Sequence, residues 1–178
     1  DSQKGFISGN ISNLKEGTPL FLDYLSPDKV TTKDTAIIDK NGFYSFNFKI
    51  DKSGYYRLKV NNQNFVNLIL EKGQNTMING DGENFTNNHS IEGSEESLRL
   101  KIFQNAYTLN NLTLDSIQKE YDLSLNDQST IDALEKSKIK SINRMRNTFI
   151  RLINEKPGSL VSLTAVQQLP QKKYIDFY

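Results

Sequence analysis

Two acidic stretches, a lone histidine, a run of basic residues and a set of aromatics hold what chemical potential this sequence has. Gly80-Asp81-Gly82-Glu83-Asn84 places carboxylates beside glycines, as cation-binding loops do. A calcium loop of the helix–loop–helix kind needs oxygen ligands at alternate positions and a distal bidentate Glu. Only Asp81 and Glu83 stand where such ligands belong, so the spacing predicts an exposed turn. Glu95 and Glu96 have the chemistry of an acid/base pair, but neighbours on a helix point about 100° apart. They do not converge on one substrate, and acids favoured at a helix start account for them better.

His89 lies among Asn87, Asn88 and Ser90, with no carboxylate nearby in sequence to orient its ring. A histidine base needs such an orienting partner, so an exposed loop residue is the expected reading. Lys136, Lys138, Lys140, Arg144, Arg146 and Arg151 are the densest charge cluster. They spread round a predicted helix and are flanked by Glu135 and Glu155, as on a solvated face; the alternative is a docking surface. Tyr24, Tyr44, Tyr55, Tyr56, Phe43, Phe46, Phe48 and Phe65 could form a platform for a sugar or a peptide. Most occupy inward positions of alternating strands and belong to a core; only Phe43 and Tyr55 are predicted to face outward. The residues therefore assign no catalytic, cofactor-binding or metal-ligating position.

Composition narrows the field further. Lys and Arg total 22 against 21 for Asp and Glu, which removes the bulk positive charge that supplies most nucleic-acid affinity. Cysteine is absent and histidine occurs once, so disulfides, thiolate chemistry and multi-histidine metal sites are excluded for these residues. No apolar run is long enough to span a bilayer. The first residues, DSQKG, carry no signal peptide, and a trimmed mature chain would look the same.

The elements that must position these residues can be read from periodicity. Lys33 to Ile50 reads as two strands joined at Asn41-Gly42, a dipeptide suited to the type I′ turn of a hairpin. Tyr44, Phe46, Phe48 and Ile50 alternate with Ser45, Asn47 and Lys49, giving one apolar face. Gly9, inside a strand over residues 4–12, suggests a bulge or a close strand crossing. Leu20, Leu22 and Tyr24 share a face, as do Tyr56, Leu58 and Val60, and FVNLILE (Phe65 to Glu71) is apolar enough to be the most buried strand. About seven short strands at this spacing indicate an antiparallel sandwich or barrel.

Beyond a polar stretch over residues 80–93, Ser94 starts a helix carrying Leu98, Ile102, Ala106 and Leu109. Asn110-Asn111 is expected to end it, with Thr113 or Asp115 capping a second helix. Thr130 to Asn154 is a third, with Ile131, Leu134, Ile142, Met145, Phe149 and Leu152 at helical steps until Pro157-Gly158. Ser159 caps a last short helix with Leu160, Leu163 and Val166 on its apolar side, closed by Pro170. The tail QKKYIDFY has no terminus signal and reads as the interior of a longer protein.

GFISGNI (Gly5 to Ile11), GTPLFLDYL (Gly17 to Leu25), KDTAIIDKNGFYSF (Lys33 to Phe46), GYYRLKV (Gly54 to Val60), FVNLILEKGQNTMINGD (Phe65 to Asp81) and IEGSEES (Ile91 to Ser97) follow one pattern block by block. That pattern resembles the uncharacterised N-terminal domain that precedes a thioredoxin-like domain in cell-envelope lipoproteins of certain Gram-negative bacteria. In that family a β-sandwich is followed by helices, an Asn-Pro-x-Ser-like step and the redox domain. Glu155-Lys156-Pro157-Gly158-Ser159 looks like that step, with Asn154 displaced from the position before proline. The family's catalytic Cys-x-x-Cys pair lies in the following domain and matches no position here. The resemblance also implies an O-glycosylation signal at Asp34-Thr35-Ala36 and Asp115-Ser116-Ile117, although Thr35 reads better as an ordinary strand residue.

The expectation is thus an α+β chain: an antiparallel β-sandwich of about seven strands over residues 1–82, a connector over 83–93, and three to four helices over 94–178 leading to a further C-terminal domain. The resemblance implies a lipid-anchored envelope protein in which this region is a non-catalytic module of a thiol–disulfide oxidoreductase, serving spacing, dimerisation or substrate presentation. Its partners would be the thioredoxin-like domain of the same chain, a second copy, or an envelope protein substrate, with no nucleic acid and no cofactor. The alternative is a stand-alone glycan- or peptide-binding sandwich.

Overall fold

The computed structural model describes residues 6–47, 50, 53–124 and 127–169. Among these are the strands β1 (Ile7–Ser12), β2 (Pro19–Leu25), β3 (Val30–Ile37), β4 (Phe43–Phe46), β5 (Gly54–Lys59), β6 (Phe65–Leu70), β7 (Thr76–Asp81) and β8 (His89–Glu92). The helices α1 (Glu95–Leu123), α2 (Gln128–Glu155) and α3 (Leu160–Gln168) come next, so the fold is α+β as its periodicities require. The chain forms two compact units, residues 1–100 and 101–178, divided within α1.

The first unit is a sandwich of two four-stranded sheets, ordered β4-β1-β7-β8 and β3-β2-β5-β6. Alternate residues of both sheets meet in one core: Ile7, Ile11, Tyr44, Phe46 and Ile78 from the first, Leu20, Leu22, Tyr56, Leu58 and Leu68 from the second. Pairing is antiparallel except between β1 and β7, which run parallel. Residues 83–93, read from sequence as a connector, carry β8, which extends the first sheet beside β7.

The expected hairpin at Asn41-Gly42 does not form. β3 pairs with β2 and β4 with β1, so the two arms lie in different sheets. A type I′ turn needs positive φ at both central residues, and here only Gly42 has it (φ +80). Asp39 dictates the turn instead: its Oδ1 accepts the N–H of Asn41 and of Phe43, each at 2.8 Å, and its carbonyl accepts that of Gly42 at 3.0 Å. The inward face survives this rearrangement, because alternation is local; Tyr44, Phe46 and Ile50 are all buried. Phe48 lies outside the described residues.

Gly9 marks a crossing, not a bulge. It is paired with Tyr44 in the sheet, and a Cβ there would overlap the carbonyl of Ile78 and press on the Tyr44 ring.

In the second unit, α1 continues through Asn110-Asn111. Asn110 does not cap a helix end because its side chain is buried and its Oδ1 accepts a hydrogen bond from Ser141 Oγ of α2 at 3.0 Å. Tertiary packing overrides the weak helix propensity of asparagine. Phe103 stacks on Phe149 with ring centroids 4.6 Å apart, joining the same two helices. Asp127 caps α2 by accepting from the N–H groups of Ser129 and Thr130. In α3 the expected apolar face is reversed: Val161 and Ala165 are buried while Leu163 and Val166 are exposed. Small residues let α3 approach closely enough for the Ser162 hydroxyl to share its proton between the carbonyls of Lys156, the residue that ends α2 (2.7 Å), and of Leu152 (3.1 Å). Pro170 and the tail lie outside the described residues.

Candidate functional site

The loop at Gly80–Asn84 is occupied with its own structure. Asp81 Oδ1 accepts from Asn13 Nδ2 and from the Glu83 N–H, both at 3.0 Å. These bonds, the side-chain one foremost, hold the carboxyl below the usual aspartate range. Glu83 is exposed, so its carboxylate and that of Asp81 do not form an enclosed cage. Among the described residues, no group of three or more His, Cys, Asp or Glu side chains is arranged to hold a metal ion.

Glu95 and Glu96 part company as the helix geometry requires. Glu95 is exposed, whereas Glu96 is buried with its Oε1 3.2 Å from Nε of the equally buried Arg99. Glu96 is thus more than a helix-start charge: it belongs to an internal ion pair one turn long. His89 begins β8, half-buried, with its ring edge against Phe85. Its Nδ1 lies 2.8 Å from the Phe85 carbonyl, which can only accept, so that nitrogen carries the proton.

The aromatics divide as alternation demands, with one exception. Tyr44, Phe46 and Tyr56 are core residues, and Tyr24 packs edge-on against Tyr56. Phe65 faces outward, because Val66, Leu68 and Leu70 take the inward positions of β6; the Arg57 guanidinium covers its ring at 4.2 Å. Tyr55 is half-buried, and Phe43 is exposed on β4 in the other sheet. Phe43 therefore lies on one sheet and Tyr55 and Phe65 on the other. Thr35 is exposed on the edge strand β3, and Ser116 is exposed on α1.

Two side-chain clusters escaped sequence reasoning. Asp23 is 1% exposed, yet it lies at a register shift on the outer face of its sheet. Lys59 Nζ approaches its Oδ2 at 2.7 Å and Thr32 Oγ1 donates to its Oδ1 at 2.6 Å, so both oxygens are used. The acid inside TPLFLDYL was the available signal, but its partners depend on strand pairing. The second cluster is at the open edge of β6. Ser97 Oγ accepts from the Ile69 N–H (3.0 Å) and donates to the Ile69 carbonyl (2.8 Å). Ser94 Oγ sits 2.8 Å from Ser97 Oγ and accepts the Ser97 N–H at 3.2 Å. The helix cap and the edge cover are one device.

In the second unit the basic residues are more ordered than the sequence suggested. Lys136, Lys140, Arg144 and Arg151 share one shallow exposed face of α2 with Ile139, while Lys138 and Arg146 lie elsewhere. Beside that face runs an open groove of about 290 Å³, lined by Ile102, Asn105 and Leu109 of α1 and by Ser141, Met145 and Arg151 of α2. Ile102, Ala106 and Leu109 alternate with Asn105 and Asn110 along its α1 wall, and Arg144 and Arg151 stand beside Met145 along the other.

The catalogue of curated proteins and that of solved structures each give no match to this chain. A family model does match, over residues 6–99, which is the whole sandwich together with the first turn of α1. That span is just over half of the chain, and it ends just past the serines that fasten α1 to β6. By this match over more than half of its length, the chain belongs to the family described as Domain of unknown function (DUF4369).

Proposed function

We propose that residues 1–178 are the non-catalytic N-terminal module of a cell-envelope, lipid-anchored protein whose thiol–disulfide chemistry resides in a thioredoxin-like domain of the same chain. The module itself is not an enzyme in this reading; it spaces or presents the redox domain to envelope protein substrates. Three things support it. The sequence blocks resemble domains placed in that way, the chain has no cysteine of its own, and the polar clusters of the sandwich are tied up in structural bonds.

The observation that carries the reading is the serine pair on Ile69. It fastens the start of the helix after the sandwich to a sheet edge through backbone and hydroxyl bonds. A spacer needs such a fixed origin for the polypeptide C-terminal to it, whereas a ligand-binding sandwich does not.

The test is a reductase and isomerase assay on the longer natural protein with and without residues 1–178. The expected result is altered rate or choice among folded envelope substrates when the module is removed. Unchanged activity and unchanged partner choice would sink the proposal, as would a reading frame with no Cys-x-x-Cys beyond Tyr178.

A further inference from the structure

α1 carries two stripes of side chains. One, with Phe103 and Asn110, is buried and packs on Phe149 and Ser141 of α2. The other is bare: Ile102 is 40% exposed, Leu109 50%, Leu112 62% and Leu123 87%. These four fall on two rows with a seven-residue repeat, 102/109/116/123 and 105/112/119, the two seam rows of a coiled coil. The polar members of the seam are Asn105, Ser116 and Lys119.

We propose that a second copy of this chain covers the stripe, the two α1 helices lying antiparallel about a two-fold axis between Leu109 and Leu112. In that register Leu109 meets the second copy's Leu112, Asn105 meets its Ser116, and Ile102 lies on the aliphatic stem of its Lys119. Leu123 reaches the first turns of the other helix. The central leucine layer is apolar on both sides, the Asn105–Ser116 layer is polar on both sides, and the outer layer sets Ile102 on the Lys119 stem. A shift of one heptad destroys this match, setting Leu109 against Asn105 or Lys119. A parallel pair stacks Lys119 on its own copy, a like-charge contact.

Charge makes the same choice. Glu120 and Asp122 flank the seam at its C-terminal end; Lys101 flanks it at the other, with Arg151 of α2 across the groove from Ile102. Reversing one copy brings each acidic end to a basic end, twice over by symmetry. A parallel pair would put like beside like. An isologous two-fold contact is the commonest way for a soluble chain to cover such a surface. The pairing concerns this chain alone and does not rest on a redox domain following it.

The chain has no cysteine, so introduced ones report cleanly. Residues 105 and 116 are about 16 Å apart along one helix. A disulfide, which needs Cα atoms within about 7 Å, can join them only between two copies. The Asn105→Cys/Ser116→Cys chain is expected to give a covalent dimer under mild oxidation, and each single variant to remain uncrosslinked. Sedimentation of the unmodified chain should show a dimer. Leu109→Glu with Leu112→Glu should weaken it more than tenfold, with unchanged circular dichroism because both sites are exposed, and with an unchanged Tm only at dilutions where the unmodified chain is itself dissociated. A charge reversal at Glu120 and Asp122 should weaken it too, and reversal of Lys101 and Arg151 in the same chain should restore it. A monomeric unmodified chain, an uncrosslinked double variant, or single variants that crosslink as well as the double would each overturn the pairing.

Discussion

The hydroxyl of Tyr44, on β4, reaches across β1 and donates to the carbonyl of Ile78, on β7, at 2.8 Å. The route is open only because Gly9 on the intervening strand has no side chain. At the same place the Asn10 N–H donates to Asn79 Oδ1 at 2.8 Å instead of to a neighbouring backbone. Side chains thus satisfy main-chain groups where the parallel β1–β7 ladder loosens, as buried polar groups require. Burial also pushes the Tyr44 phenol well up, so it stays a donor across any practical pH.

Tyr44→Phe removes the donor and leaves a buried carbonyl bare, which costs about 1–3 kcal/mol. Gly9→Ala should cost more, because the added methyl meets backbone that cannot turn aside. Urea unfolding of both variants checks the order; a Gly9→Ala chain as stable as the unmodified one would show that β1 and β7 are not held so closely.

Ser97→Ala strips a partner from both polar groups of Ile69, a loss of about 1–3 kcal/mol at a buried edge. Amide exchange reads this directly. The Ile69 N–H should lose protection first, while those within β2 and β5 keep theirs, since edge opening is local.

Asp23→Ala leaves the Lys59 ammonium facing a low-polarity surface alone and should destabilise by about 3 kcal/mol, near the lower end for buried pairs because Lys59 keeps 21% exposure. Replacing both, as Asp23→Leu with Lys59→Met, should cost clearly less than the single change. A double-mutant cycle in denaturant measures the difference; additive losses would mean the two charges do not sense each other.

Asp127 should give the acid limb of stability in the helical unit. Its hydrogen bonds, from the Thr130 and Ser129 hydroxyls foremost, hold its pKa at about 2 instead of 3.8. A carboxyl depressed in the folded state stabilises above its unfolded pKa and loses that contribution as pH falls through the folded one. The Tm gap between the unmodified chain and Asp127→Ala should therefore be full at neutral pH and close between about pH 4 and pH 2. A gap that does not change with pH would assign the cap to geometry alone.

Alternation and helical spacing, which are properties of neighbouring residues, determined the class of this protein. Tyr44, Phe46, Tyr56 and Leu58 face inward wherever their strands go, and the Ser94, Asp127 and Ser159 caps act within one turn. Family membership rests on that same local pattern over residues 6–99. Only the tertiary structure decided which strands are neighbours: Asn41-Gly42 separates two sheets because β3 and β4 each found a better edge than one another. It also decided that Asn110 lies inside a helix, that Leu163 and Val166 lie outside one, and that Asp23 has Lys59 to face. These outcomes depend on contacts between residues far apart in sequence. No window of the chain contains both partners, so their pairing energy is invisible until the backbone has brought them together.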